Sequence, residues 1–566
     1  MEAVLELDRE VRSKAMAGMS DGSLFDMLDA TVKRSPNVVA IDFMGKTCTY
    51  RELLDAAESA ATGLYALGVR KGDRVGLCLP NTPYSVKLFF AIQRLGAIAV
   101  NINPLYVEHE IKQVLGTSGV KVLVVTDLAL VAKSAIAAAK ASNVERIVVC
   151  PFADVLPWMK SVLFRALKSK ELLHLAADKR LIRYSELIAD KHRAPFVKIE
   201  AERDVAVFQF TGGTTGVPKA AMLTHANLLS NLKQIDHHIA ATVTGQQVIL
   251  GVLPLFHVFA LMTVMLLGVE RGATMVLLPR FDAKTTLDTL LRTKTTLLPA
   301  VPTILTALLR EKEVNKESFS KIVAVISGGA PLPSALRRQF EEMANCPVIE
   351  GYGLSETSPV LTFNPLNAVR DGSCGTAVQG TEIEIRDIDP PHERLPLGQP
   401  GEVCVRGPQV MLGYWGVDNS RENPFTEDGF FKTGDVGYLD RDGYLFLVDR
   451  LKDIILCGGY NVYPHVIEEA LYRHPAVLET IVLGVPDSYR GQAPKAFVTV
   501  REGFTVTEKE LLDHVSQYVS KIERPREIAF RDSLPKTLIG KLSKKDLIIQ
   551  ENLQTQQSQV AARKAS

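Results

Sequence analysis

Directly after the apolar run VAVFQF (205–210), the chain reads Thr-Gly-Gly-Thr-Thr-Gly-Val-Pro-Lys from 211 to 219. A strand that ends in such a loop suits phosphate. Gly212, Gly213 and Gly216 let backbone N–H groups come close, Thr211, Thr214 and Thr215 add hydroxyl donors, and Lys219 adds a cation. The run is not a Walker A loop, because Val217 and Pro218 stand where that motif requires Gly and Lys. A second cluster, Glu350-Gly-Tyr-Gly-Leu-Ser-Glu-Thr-Ser358, offers an aromatic face at Tyr352, a carboxylate at Glu356 and a hydroxyl at Thr357. Beside a triphosphate, that carboxylate could hold Mg²⁺, a hard ion that prefers oxygen ligands. A third group comprises KTGDV (432–436), VDRLKD (448–453) and CGGYNVYP (457–464), and a fourth is LPKTLIGK (534–541). Singly, each has an ordinary reading as a turn or a solvated surface charge. Density within a few residues is what favours phosphate chemistry.

These residues need elements to position them. TYRELLDAAESAATGLYALG places Thr49 and Glu52 at capping-box spacing and ends at Gly68, a punctuated helix. KVLVVTD and RIVVCPF are continuous apolar runs that each follow a helix, as buried parallel strands do. Helix and strand patterns alternate to about Leu361, the signature of doubly wound α/β layers. A Gly- and Pro-punctuated β-rich stretch follows (TEIEIRDI, GEVCVRG, GYLFLVDR), and a fresh α/β pattern begins near Leu451.

The chain has 566 residues, 65 Lys plus Arg against 64 Asp plus Glu, and a net charge of +1. This balance argues against a general nucleic-acid binder, which needs surplus cations. Seven scattered cysteines, none paired at metal-ligand spacing, read as reduced cytosolic thiols, and MEAVLELDREVRSK is too charged for a secretory signal. Two segments bear on membranes. Residues 248–269 carry no formal charge and are long enough to span a bilayer, but Pro254 and His257 interrupt them, which favours a buried core segment. In residues 154–175, Val155, Trp158, Met159, Val162, Leu163, Ala166 and Leu167 recur at helical spacing among Lys160, Arg165, Lys168 and Lys170. That pattern fits either a basic amphipathic helix lying on an anionic membrane or an ordinary surface helix packed on the core.

In this order and at these separations, the four chemical stretches resemble the adenylate-forming acyl-CoA synthetases, and the similarity runs from TYRELL to GKLSKKDL. PLFHVFAL (254–261), the Thr-Gly-Gly start at 211–213 and DGFFKTGDVGYLDRDGYL look most like long-chain fatty-acid–CoA ligases. The resemblance implies a large N-terminal domain (1–451) of stacked α/β subdomains plus a distorted β-barrel. This is hinged at Lys452 to a small mobile C-terminal α/β domain (452–550), with a polar tail (551–566) expected to be disordered. It implies an acid–thiol ligase reaction in two steps: a carboxylate attacks the α-phosphate of Mg·ATP to give acyl-AMP and pyrophosphate, the small domain rotates, and the CoA thiol displaces AMP. Catalytic roles fall on Lys541, bridging carboxylate and α-phosphate, on Glu356, and on His257 at the mouth of an apolar acyl tunnel lined by 258–267. The 211–219 loop (Thr211, Gly212, Gly213, Thr214, Thr215, Gly216, Lys219) would cradle the phosphates, with Glu356 and Thr214 on Mg²⁺. Tyr352 would stack on adenine, with Gly329, Ala330, Gly351 and Gly353 also at the nucleotide. Thr357 would meet the α-phosphate, Asp435 with Arg450 the ribose, and Gly459 would leave room for the pantetheine arm of CoA.

Two positions depart from the family pattern: Ala220 would add a methyl near the phosphates, and Val466 removes a carboxylate from the hinge-side helix, leaving Glu468. The implied partners are a fatty acid, ATP and CoA, in the cytoplasm. Peripheral contact with the inner membrane surface and a homodimer are left open. Competing readings are the same chemistry on a medium-chain, aryl or dicarboxylic acid, an adenylation module feeding a carrier protein, and a non-enzymatic lipid-binding peripheral membrane protein. The last leaves the nucleotide-type clusters unexplained.

Overall fold

The computed structural model describes residues 22–173, 178–189, 192–211, 218–240, 242–312, 314–417, 423–458, 460–487, 489–536 and 542–551. The chain forms two compact units, Met1–Glu382 with Arg406–Phe431, and Ile383–Val405 with Lys432–Ser566.

The first unit is built on two large mixed sheets. In the nine-stranded sheet, Thr274–Leu277, Val248–Gly251, Leu297–Ala300, Ala324–Ser327 and Val348–Gly353 lie side by side in that order, all parallel. In the seven-stranded sheet, Arg146–Cys150, Val122–Thr126, Arg74–Cys78, Ile98–Asn101 and Val205–Thr211 are likewise parallel neighbours. The apolar runs read as buried strands are these strands. Their side chains, with Ile111, Val114 and Ile136 from covering helices, form one continuous core. Helix Tyr50–Ala66 starts where its capping box predicts: the Glu52 carboxylate accepts from the Thr49 N–H at 2.7 Å, the Thr49 hydroxyl accepts from the Glu52 N–H at 3.3 Å, and Gly68 follows the end at φ +88°.

The second unit holds a four-stranded sheet containing Phe431–Leu439 and Leu445–Arg450, and a five-stranded sheet around the long pair Val477–Asp487 and Gly491–Val500. The β-rich stretch thus clusters with the C-terminal residues. Glu551, expected to open the tail, is helical and paired with Lys495 and Arg531, while 552–566 lie outside the described residues.

The charge-free 248–269 segment is strand Val248–Gly251, a loop, and a helical stretch from Val258 to Glu270 with a π-turn at Leu261–Leu266. Nearly every side chain of that helical stretch is buried, so its apolarity is that of a core element. No helix among the described residues is long and apolar enough to cross a membrane. The 154–175 pattern resolves into a 3-10 turn at Phe152–Val155, helix Trp158–Leu167 and a second 3-10 turn at Ser169–Glu171. None of the ten helix residues is buried.

Candidate active site

Many of the expected residues come from the carboxyl ends of parallel strands, where open α/β sheets bind ligands. Ala324–Ser327 runs into the turn holding Gly329 and Ala330, and Gly329 sits at φ +82°, a conformation that suits glycine. Val348–Gly353 carries Tyr352 and leads into a single 3-10 turn, Ser355–Thr357, which presents Glu356. Strand Val248–Gly251 leads to His257. A Glu350 carboxylate oxygen accepts from the Leu332 N–H at 3.1 Å and ties the 329–332 loop to the neighbouring strand end.

Glu356 is buried, with Oε1 accepting from the Tyr414 hydroxyl at 2.7 Å. Burial first, and then the Glu356 charge, push the Tyr414 phenol upward, so it remains a donor at neutral pH. The Lys219 ammonium lies 5.5 Å from the Tyr414 ring centroid, within cation–π reach. Backbone pairing sets this up: Met411 N–H donates to the Glu356 carbonyl, Met222 N–H to the Gly413 carbonyl, and Trp415 N–H to the Ala220 carbonyl. Tyr414 is the site residue that sequence reasoning missed. It lies 58 positions from Glu356, and only the aromatic pair after Gly413, at the rim of a motif-free stretch, could have signalled it.

Thr211 and Lys219 are cross-strand partners at the end of an antiparallel hairpin formed by Val205–Thr211 and Lys219–Thr224. The loop is therefore followed by a strand, not by the helix of a P-loop. Gly212, Gly213, Thr214, Thr215 and Gly216 lie outside the described residues, as do Gly459 and Lys541. Ala220, next to Lys219, is fully buried within the hydrophobic core. The Thr357 hydroxyl is within hydrogen-bond reach of the Pro359 carbonyl inside its own turn. Gly351 and Gly353 have a steric cause in the adjacent segment. A Cβ would lie 2.6 Å from the Phe363 ring at the first and 1.8 Å from the Pro359 oxygen at the second.

His257 is held from the neighbouring sheet. Gln209 Nε2 donates to the Phe256 carbonyl at 3.1 Å, and Asn101 Nδ2 donates to Gln209 Oε1 at 3.2 Å. Asn81 fixes the preceding loop, donating to the Gly251 and Leu253 carbonyls and accepting from the Leu255 N–H. The His257 Nδ1 accepts from the Phe259 N–H at 3.3 Å and so caps the apolar helix.

In the second unit, the pair that the resemblance implies is brought together. Asp435 and Arg450 oppose each other across a hairpin, with Nε 3.0 Å from Oδ1, and Asp435 is buried. Gly434, at φ +70°, donates its N–H to Glu402, whose carboxyl is raised by burial. Lys452 is exposed in the 3-10 turn Leu451–Asp453. A half-buried polar network follows it: the Lys544 ammonium lies 3.8 Å from Asp449 and 3.4 Å from Glu468, and Asp449 accepts from the His465 N–H.

Among the described residues no three His, Cys, Asp or Glu side chains converge as a metal cage. One buried carboxylate is nonetheless the protein contribution that Mg²⁺ usually takes when phosphates and water complete its shell, so Glu356 fits that role. All seven cysteines are free.

The site's parts and the fold now define a class. Residues 28–415 match the AMP-binding enzyme family and 466–541 match the AMP-binding enzyme C-terminal domain, so the chain belongs to the adenylate-forming AMP-binding enzymes. It is 38% identical over 534 residues to a long-chain-fatty-acid–CoA ligase of Bacillus subtilis (strain 168), covering 94% of each chain. Among solved structures it is similar to ATP-bound MatB from Rhodopseudomonas palustris (TM-score 0.81, 29% identity, 93% of this chain and 98% of that one). It is also similar to the o-succinylbenzoate CoA synthetase MenE from Bacillus subtilis in complex with its acyl-adenylate intermediate (TM-score 0.73, 29% identity, 92% and 97%).

Proposed function

We propose that the chain is an ATP-dependent ligase joining a long-chain fatty acid to CoA. The observation that carries this reading is the buried Glu356, fixed by Tyr414 beside Lys219 at the strand ends, in a chain whose relative across 94% of its length is a long-chain-fatty-acid–CoA ligase. In the first step a carboxylate oxygen bonds to the α-phosphorus while the bond to the β-phosphate oxygen breaks and pyrophosphate leaves. In the second, the CoA thiol gives up its proton, its sulfur bonds to the acyl carbon, and the bond to the phosphate oxygen breaks so that AMP leaves with the electron pair. Negative charge gathers at phosphorus in the first step, so preorganised cations and donors matter most there. Lys219 and the 211–216 loop supply them at the phosphates, and Lys541 does so at the attacking carboxylate. Asp435, oriented by Arg450, takes the ribose hydroxyls, and Tyr352 takes the adenine face. Glu356 would hold Mg²⁺, which would neutralise phosphate charge. Lys452 is the hinge, and Gly459 admits the pantetheine arm. The apolar helical stretch behind His257 supports an alkyl substrate. Free thiols suit a reducing cytoplasm, and peripheral contact with the membrane that dissolves the acid belongs to the same reading.

The test is mass-spectrometric detection of AMP and acyl-CoA from purified protein with Mg·ATP, CoA and acids from acetate to long-chain, aryl and dicarboxylic. Acyl-CoA formation should rise with alkyl length. Product from aryl or dicarboxylic acids alone would keep the chemistry and replace the substrate, and no AMP with any acid would end the ligase reading.

A further inference from the structure

Helix Trp158–Leu167 is mounted the wrong way round for a soluble surface. A helix ordinarily turns its apolar stripe to the core. Here Trp158, Met159, Val162, Leu163 and Leu167 are 76%, 64%, 62%, 58% and 74% exposed. At about 100° per residue they occupy one half of the helix, with Ala166 between them. The opposite side is fastened. The Phe164 ring packs on Phe152 with centroids 5.4 Å apart, the Lys160 ammonium donates to the Met44 carbonyl at 2.8 Å, and Arg165 pairs with Asp154. Lys46 joins the same anchorage, donating to the Asp154 carbonyl at 2.7 Å. The apolar face is therefore held outward by specific contacts.

Charge identifies what covers it. Between 154 and 171 stand four cations (Lys160, Arg165, Lys168, Lys170) and two carboxylates (Asp154, Glu171), a net +2 that Lys46 raises to +3. Lys160 and Arg165 border the apolar half on its two sides, and Lys168 and Lys170 follow its end. A protein partner is a poor match, because interface cores are depleted of Lys and a standard interface uses about 20–30 residues a side, against six here. An anionic bilayer matches every part. Apolar side chains enter the boundary between headgroups and acyl chains, Trp158 sits at the interface, and lysines reach the headgroups. We infer that the outward face of helix Trp158–Leu167 docks the protein on an anionic lipid surface. The inference rests on the long-chain reading for its purpose, since a bilayer is where a long-chain acid partitions, but the contact itself is independent of catalysis.

The experiment uses the full chain and vesicles of phosphatidylcholine with about one-third phosphatidylglycerol, against phosphatidylcholine alone, in co-sedimentation without substrates. Wild type should bind the anionic vesicles more tightly, and added salt should weaken that preference. The double substitution Val162→Asp with Leu163→Asp should lower vesicle affinity about tenfold or more. Lys168→Glu with Lys170→Glu should lower it for anionic vesicles while leaving the weak neutral binding nearly unchanged. Both variants should form acyl-CoA from a water-soluble acid at the wild-type rate and keep the wild-type sedimentation coefficient. Equal vesicle binding by wild type and the Asp variant would overturn the inference. So would a wild-type dimer that the Asp variant converts to monomer, because the face would then belong to a second copy. A chain that makes no acyl-CoA yet binds vesicles through this face would sink only the ligase reading.

Discussion

Glu356 is a carboxylate placed where a carboxylate is costly, out of water in a one-turn helix, and the Tyr414 hydroxyl is what makes the position tenable. A hydrogen bond to a charged group contributes about 1.5–3 kcal/mol, and a buried group that loses its partner forfeits it. Tyr414→Phe keeps the ring over which Lys219 lies and removes the donor alone. It should lower kcat/KM for Mg·ATP about 10- to 100-fold, with the loss growing as Mg²⁺ is made limiting. Initial-rate AMP formation over a grid of Mg²⁺ and ATP concentrations measures this, and a change of less than about twofold would show that Tyr414 does not position the carboxylate. At this scale the sequence exposed the chemical groups but not their keepers. Glu356 stands out in a Gly-rich run, while Asp435 and Arg450 stand out through the resemblance to the family. Tyr414, Gln209, Asn81 and Asn101 act through a few hydrogen bonds between segments far apart in the chain, and no local pattern encodes those.

Among elements, the half-buried network around Lys544 joins the hairpin that carries Arg450 to the helix Pro464–Tyr472. Asp449 and Glu468 face the same ammonium, three residues beyond Lys541. Burial opposes ionisation of Glu468, but Lys544 and His465 more than offset it and hold its carboxyl below the ordinary range. Burial wins at Asp449, whose carboxyl is raised. Lys544→Met would leave Asp449 and Glu468, both half-buried, without the cation they share, a change that costs about 3 kcal/mol. Amide exchange in Val477–Asp487 and Gly491–Val500 should then be about 100-fold less protected, with most of the protection returning in Lys544→Arg. Unchanged protection in the Met variant would show that the network does not stabilise the small sheet. Elements themselves were legible where local rules act, as at the Thr49 capping box and the continuous apolar strands. Helix Trp158–Leu167 was legible as a helix but not in its orientation, because periodicity gives the apolar side and only the Phe164 and Lys160 contacts decide which way that side points. Val155, counted into that periodicity, belongs to a separate buried turn.

At the scale of the whole molecule, sheet order and long-range fastening decide stability, and neither is written in any window of sequence. Helix Leu24–Arg34 is fastened to the hydrophobic body through His225, which heads helix His225–Ile239, 201 positions away. His225 is fully buried. Its Nδ1 accepts from the Leu24 N–H at 3.2 Å, which requires the neutral ring, and Nε2 has no partner among the described residues. Burial is the main cause that lowers its pKa from the usual 6.5 to about 4, with Asp204 and Asp26 opposing and Lys71 assisting. The unfolded chain therefore binds this proton first as pH falls. The associated stability is complete above 6.5 and is lost progressively toward 4, about 3 kcal/mol in all. His225→Asn keeps an acceptor near Nδ1 and removes the titration. The variant should be somewhat less stable at neutral pH, because it loses ring volume, but its stability should fall less steeply between pH 6.5 and 4. Urea unfolding across that range, followed by exchange of the Leu24–Arg34 amides, separates the two slopes. Parallel curves for wild type and variant would mean that acid sensitivity lies elsewhere, and that the N-terminal helix is held by its apolar residues Leu24, Met27 and Leu28 without help from the buried imidazole.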